Sequence, residues 1–276
     1  CAKIGYIRED IERNYKKGNL NKRERAILIT SLLYAMDKIA VTCGHYDAYR
    51  KGADFEASLE LYVPLAEVNN NTDNDCFNED ANNLVKRIEA DLVYIDPPYN
   101  SRQYCRFYHV YETLVKWDKP ILSGVAMKPP AENMSKYCTS QALATFADLI
   151  NNLDAKYLVV SYNNTYNSKS GSSRNKIELE EIEAALNAKG ETKRFARDYR
   201  FFQSGKSDLE NHQELLYPGK IEDITEDTDP IITNQELTYN PTASLIGFIL
   251  KYAEKDTVIY NLGICRDGCC DKSFSS

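Results

Sequence analysis

Two short and almost wholly apolar runs constrain this chain more than anything else in it: Asp91-Leu92-Val93-Tyr94-Ile95 and Tyr157-Leu158-Val159-Val160-Ser161-Tyr162. Runs of this length, without a polar residue at every second position, belong to strands buried on both faces. An amphipathic helical stretch at 140–152 lies between them, and a second at 178–189 follows and is stopped by Gly190. Strands joined by helices imply a mostly parallel sheet with helical cover. Ligands on such sheets sit at the carboxyl ends of the strands. The first run ends at Asp96-Pro97-Pro98-Tyr99, which places that tetrapeptide where chemistry is done.

Around this core the organisation is coarser. Residues 6–41 read as helical, with Ile7, Ile11, Tyr15, Ile29, Leu32, Leu33 and Met36 at helical spacing and a break at Gly18-Asn19. The stretch 53–75 is irregular; a short strand near 75–78 and a helix from Ala81 to Ile88 follow. Segments 192–202 and 212–217 read as strands that pair as a hairpin. Beyond Pro218 the chain becomes acidic (Glu222, Asp223, Glu226, Asp227, Asp229) and reads as a linker. A helix at Ala243–Tyr252 and a strand at Thr257–Tyr260 come last, too little for an independent core. The expected division is a helical region at 1–75, a catalytic core at 76–217, and a linker with a C-terminal segment at 218–276.

The net charge of −7 argues against a chain coated in basic surface. It leaves room for local phosphate-binding faces, and cations do gather: Arg102 and Arg106, then Lys193, Arg194, Arg197, Arg200 and Lys206. Eight scattered cysteines in a chain of 276 residues read as reduced thiols rather than a disulfide framework. His45, His109 and His212 lie far in sequence from Cys265, Cys269 and Cys270, so no zinc-ligand spacing is offered and no metal is expected. No run approaches the ~18 apolar residues of a membrane span, and the start lacks a signal-peptide layout.

The chemistry available to Asp96-Pro97-Pro98-Tyr99 follows from its parts. An exocyclic adenine amine is a poor nucleophile, because its lone pair is delocalised into the ring. Acceptors that hold the amino hydrogens draw the nitrogen towards tetrahedral geometry. The Asp96 carboxylate and a main-chain carbonyl are two such acceptors, and proline, with fixed φ and no N–H, lets nearby carbonyls be aimed at a ligand. Tyr99 can stack on a base flipped out of its duplex, offsetting part of the unstacking cost.

With the residues that follow, Asn100-Ser101-Arg102-Gln103-Tyr104-Cys105-Arg106-Phe107-Tyr108-His109-Val110-Tyr111-Glu112-Thr113, this segment resembles the Dam-like N6-adenine DNA methyltransferases of restriction systems. Further matching pieces are Ala35–Ala40, Gly44–Tyr49, Asn78–Ala81, Ser161–Asn164 and His212–Leu216. The resemblance implies a Rossmann-like sheet, partial and mostly parallel with a C-terminal hairpin and a helical insertion. It implies S-adenosylmethionine as cofactor and double-stranded DNA as substrate. It also implies a cognate restriction endonuclease as companion, and a cytoplasmic, nucleoid-associated setting in a prokaryote or phage. Carried onto this chain, Asp96, Pro97, Pro98 and Tyr99 would be catalytic, with Asp96 and the Pro97 carbonyl holding the amine. Asp80 would contact the cofactor's adenosine. Asn100, Ser101, Arg102, Arg106 and Tyr108 would lie near the DNA.

The chain departs from that family in one respect. Members carry a Phe-x-Gly-x-Gly loop before the Asp-Pro-Pro-Tyr strand, whose glycines admit the methionine part of the cofactor; none occurs upstream here. With Cys1 in place of an initiator Met, the expectation is a piece lacking its first strand and cofactor loop. A competing reading places the loop late, where Asp256-Thr257-Val258-Ile259-Tyr260-Asn261-Leu262-Gly263 resembles a strand entering a glycine turn. Two other functions stay open on sequence alone: a DNA-binding remnant without catalysis, and methylation of an amine in RNA or protein.

Overall fold

The two apolar runs become adjacent parallel strands. The computed structural model describes residues 2–42, 58–64, 75–164, 174–198, 213–220 and 259–263, together with Tyr46, Gly52 and Gly171. In chain order its helices are α1 (Ala2–Lys16), α2 (Lys22–Ile39), α3 (Ala81–Leu84), α4 (Tyr104–Phe107), α5 (His109–Lys116), α6 (Ala142–Asn152) and α7 (Leu179–Asn187). The strands are β1 (Glu89–Asp96), β2 (Asp154–Asn163), β3 (Glu191–Thr192), β4 (Phe195–Asp198), β5 (Gln213–Lys220) and β6 (Ile259–Gly263). Two compact units result: residues 1–71 with 104–133 form one, and 72–103 with 134–276 form the other.

The second unit is mixed α/β, with an open sheet in the order β3-β5-β2-β1-β6 and β4 paired to β5. β1 runs parallel to both β2 and β6, while β5 is antiparallel to β2, β3 and β4. The sheet is therefore partly parallel, its parallel part being β2-β1-β6. β1 is buried along most of its length, as its apolar run requires. Phe146, Leu149 and Ile150 of α6 pack against Val93, Ile95, Leu158 and Val160, and Ile182 and Leu186 of α7 join the same core.

Several expectations shift when the chain is seen in three dimensions. No strand forms at 75–78; Asp75, Cys76, Phe77 and Asn78 are exposed. The expected helix at 81–88 shortens to the single turn α3, because the chain must extend again by Glu89 to enter β1. The hairpin expected from 192–202 and 212–217 appears as β4–β5, and β5 continues to Lys220. Pro218 within it has no N–H to give, but its carbonyl accepts from the Lys193 amide (3.1 Å). The expected helix at 243–252 lies outside the described residues, and the strand expected at 257–260 appears as β6.

The first unit is built on the α1–α2 hairpin. Gly18 adopts φ 76°, a left-handed conformation that costs a residue without a side chain little. Asn21 then caps α2: its side chain accepts from Glu24 N (2.9 Å), and Glu24 accepts from Asn21 N (2.8 Å). Ile11, Ile29 and Leu32 meet between the helices, with Leu20 and Val115 packed beside them. Arg8 is fully buried here. Its guanidinium donates to the carbonyls of Leu114 (2.6 Å) and Val115 (3.2 Å) and to Glu12 (2.9 Å), and it lies over the Trp117 ring. It thereby satisfies the last turn of α5, which ends at Trp117 in the left-handed region.

The two units can be tested separately. Arg8→Met leaves buried carbonyls without a donor and should cost the first unit about 3 kcal/mol. Urea titration followed by fluorescence of Trp117, the single tryptophan, should show its midpoint falling. Phe146→Ala empties the second unit's core and should cost about 3–5 kcal/mol, read by far-ultraviolet circular dichroism.

Candidate active site

Asp96 is the last residue of β1, exposed at the carboxyl end of a strand that is otherwise buried. The parallel register that sets Ile95 opposite Val160 brings Ser161, the next residue of β2, alongside Asp96. Ser161 Oγ donates to Asp96 Oδ1 (2.9 Å), and Tyr99 Oη donates to the same oxygen (2.7 Å). Both hydrogen bonds that Asp96 accepts from described side chains thus fall on Oδ1. Pro97 and Pro98 are buried behind it.

Tyr99 is fixed from three directions. Its ring meets Tyr162 edge to face, with centroids 5.1 Å apart, and its carbonyl accepts from Lys176 N (2.8 Å) and Tyr162 Oη (3.3 Å). Tyr162 is wholly buried at the end of β2, and burial raises its phenol pKa, so it stays protonated as a donor. The tetrapeptide is held by β2 as firmly as by its own strand.

The chain then turns. Asn100 accepts from Arg102 N (3.0 Å), a local turn of the kind asparagine favours. Cys138 donates to the Arg102 carbonyl (3.4 Å), and the Arg102 side chain is exposed. Gln103 is buried and clamps Ser135 twice: its amide donates to Ser135 O (2.9 Å) and its oxygen accepts from Ser135 N (2.8 Å). Ser101 is half-buried between them.

Asp96 through Arg102 therefore come together in the second unit, whereas Arg106 and Tyr108 belong to the first. There, Arg106 donates to the Pro129 carbonyl (2.7 Å). Tyr108 sits in a stack of rings, 5.7 Å from Tyr104 and 6.2 Å from Tyr111. The sequence from 100 to 114 reads as a loop, yet it holds α4 and α5; tyrosines spaced four and three apart share one helical face. Tyr111 donates to Asp37, and burial first, then that carboxylate, raise its pKa. His109 is buried in α5, consistent with a packing residue.

Asp80 is exposed and caps α3, its carboxylate accepting from Asn83 N (3.2 Å). In the tail, β6 pairs with β1 so that Gly263 lies opposite Asp96. Arg200 and Lys206 fall outside the described residues. Among the described residues no group of three or more His, Cys, Asp or Glu is arranged to hold a metal, and no helix is long and apolar enough to cross a membrane. Ser161, Tyr162 and Gln103 were not singled out from sequence as site residues. Their signal is positional: a hydroxyl and a phenol at the polar end of an apolar strand, and a glutamine in a loop otherwise short of buried side chains.

Comparison with known proteins places residues 3–170 within the family model described as D12 class N6 adenine-specific DNA methyltransferase. The chain is 38% identical over 167 residues to the modification methylase StsI of Streptococcus sanguinis, covering 59% of this chain and 26% of that protein. It is 35% identical over 169 residues to the modification methylase LlaI of Lactococcus lactis subsp. lactis, covering 59% of this chain and 27% of that one. Against the type II methyltransferase M.FokI of Planomicrobium okeanokoites the identity is 33% over 225 residues, 79% of this chain and 33% of the relative. The matches thus cover between a quarter and a third of the length of these relatives. No solved structure matches.

Gln103→Leu should remove both bonds to Ser135 at about 1 kcal/mol each. Amide exchange at Ser135 should then accelerate by about tenfold or more, while exchange within β2 stays unchanged.

Proposed function

Because the chain belongs to the D12 class N6 adenine-specific DNA methyltransferases, we propose that it methylates the N6 amine of a flipped adenine in duplex DNA, as the modification arm of a restriction–modification system. The observation that carries this reading is the state of Asp96: Oδ1 is pinned by Tyr99 and Ser161, and Oδ2 remains for an amine. With one oxygen held by two donors, the carboxylate keeps its orientation when a base arrives, so little ordering remains to be done at the moment of reaction. Oδ2 and the Pro97 carbonyl then take the two amino hydrogens and localise the nitrogen lone pair. Tyr99, braced by Tyr162, offers its ring to the adenine. Asp96 need not be a strong base, because the proton can leave after transfer.

S-adenosylmethionine supplies an electrophilic methyl group when bound. The residues fit such a cofactor. β1 and β6 lie side by side in parallel, their carboxyl ends at Asp96 and Gly263, while the other parallel neighbour, β2, lies on the opposite side of β1. A crevice at such a reversal of strand order is where open α/β sheets bind ligands. A glycine beside the carboxylate leaves the backbone approachable. This arrangement supports reading the sheet as Rossmann-like and favours Gly263 as a cofactor-facing position, with Asp80 as a further contact. Asn100, Ser101 and Arg102 in one unit, and Arg106 and Tyr108 in the other, are the proposed DNA contacts. A companion endonuclease and a cytoplasmic setting belong to the same reading.

The test is Asp96→Ala in the full chain, assayed by transfer of a labelled methyl group to duplex DNA. Transfer should be abolished with the circular dichroism spectrum unchanged; retained transfer would remove Asp96 from the mechanism. Ser161→Ala and Tyr99→Phe should each lower kcat about tenfold, since a hydrogen bond to a charged group contributes ~1.5 kcal/mol and ~1.4 kcal/mol is tenfold in rate.

A further inference from the structure

From Arg13 to Arg25 the chain holds six cations, Arg13, Lys16, Lys17, Lys22, Arg23 and Arg25, against a single acid, Glu24. These residues span the turn between α1 and α2. Arg13 pairs with Asp10 and Arg25 with Glu12, and Glu24 is occupied in capping α2. Lys16, Lys17, Lys22 and Arg23 are exposed, and among the described residues none of the four forms an ion pair.

Helix formation does not account for all of them. Lys16 and Lys17 sit at the C-terminal end of α1, where cations are favoured. Lys22 and Arg23 are the first two residues of α2, where the helix's partial positive charge opposes them. Asn21 and Glu24 already do the capping there. Residues that breach a local rule without a local gain mark functional surface.

The wider charge distribution agrees. Residues 1–71 and 104–133 carry fifteen Lys and Arg against thirteen Asp and Glu, whereas the rest of the chain carries nineteen against twenty-eight. The unit that bears this turn thus carries a net charge of +2 (15 − 13) and the rest of the chain −9 (19 − 28). A lipid surface would need an apolar face beside the cations. The one large aliphatic residue in the turn, Leu20, is packed on the Ile11–Ile29–Leu32 cluster.

We infer that Lys16, Lys17, Lys22 and Arg23 form a phosphate-contacting surface for duplex DNA, one that positions the protein on the duplex without reading its bases. This rests on the DNA substrate proposed above. Each phosphate contact adds about 0.9 to the slope of log K against log salt. The variant Lys16→Gln/Lys17→Gln/Lys22→Gln/Arg23→Gln, its fold checked by Trp117 fluorescence, should therefore show a slope shallower by about 3.6. Between 50 and 200 mM KCl the unsubstituted chain should lose about a hundredfold more affinity than the variant. A control with the same change in net charge, Lys3→Gln/Lys86→Gln/Lys156→Gln/Lys189→Gln, should keep the original slope, and so should Lys16→Arg/Lys17→Arg/Lys22→Arg. An unchanged slope in the first variant, or an equal fall in the control, overturns the inference. Tighter binding to vesicles of anionic phospholipid than to duplex DNA overturns it as well. If the unsubstituted chain shows no salt-dependent binding to duplex DNA at all, the proposed substrate fails and this surface with it.

Discussion

Parallel pairing of β1 with β2 decides where everything else in the second unit can go. A parallel pair cannot be closed by a tight turn, so the chain must leave the sheet after Asp96 and return by a long connection. Both strands then end at the same edge with their polar residues together, which is how Ser161 comes to hold Asp96 and Tyr162 comes to brace Tyr99. The apolar interior of the strands and the polar chemistry at their ends are two consequences of one alignment. A shift of β2 by one residue would turn Ser161 away from the carboxylate.

The parts of this arrangement legible in the sequence are those set by neighbours along the chain. Asp91–Ile95 and Tyr157–Tyr162 are strands because they are short, apolar and bounded by polar residues. The α1–α2 hairpin is legible because Gly18-Asn19 interrupts a helical repeat. The parts that were not legible depend on partners far away. That Gln103 is buried follows from Ser135, 32 residues on, and no local pattern announces it. The helices α4 and α5 were hidden because tyrosine density reads as a recognition loop, while the stack from Tyr104 through Tyr108 to Tyr111 forms only once the helix exists. The register of Gly263 against Asp96 is likewise a fact of the sheet, beyond the reach of any glycine count.

The two units are held by two kinds of rigidity. Around Asp96 it comes from hydrogen bonds between strand ends, supported by a core in which Phe146, Leu149 and Ile150 are fully buried. In the helical unit it comes from a buried cation. Arg8 makes every contact of its guanidinium inside the unit, to two carbonyls, a carboxylate and an indole ring. A guanidinium keeps its charge at any physiological pH, so this fastening does not loosen as acidity changes.

Arg8 also carries a consequence for synthesis. Its partner Leu114 lies 106 residues further along the chain. Translation at about 5–20 residues per second therefore leaves α1 and α2 outside the ribosome for several seconds before the segment that completes their unit has been made. β1 is made within that interval and must itself await β2, whose first residue lies 58 positions beyond the last of β1. Each unit is interrupted by part of the other, so neither can close in one continuous stretch of synthesis. The nascent chain must hold two unfinished cores at once, and the apolar strand Leu92–Ile95 is the segment that waits most exposed to wrong partners.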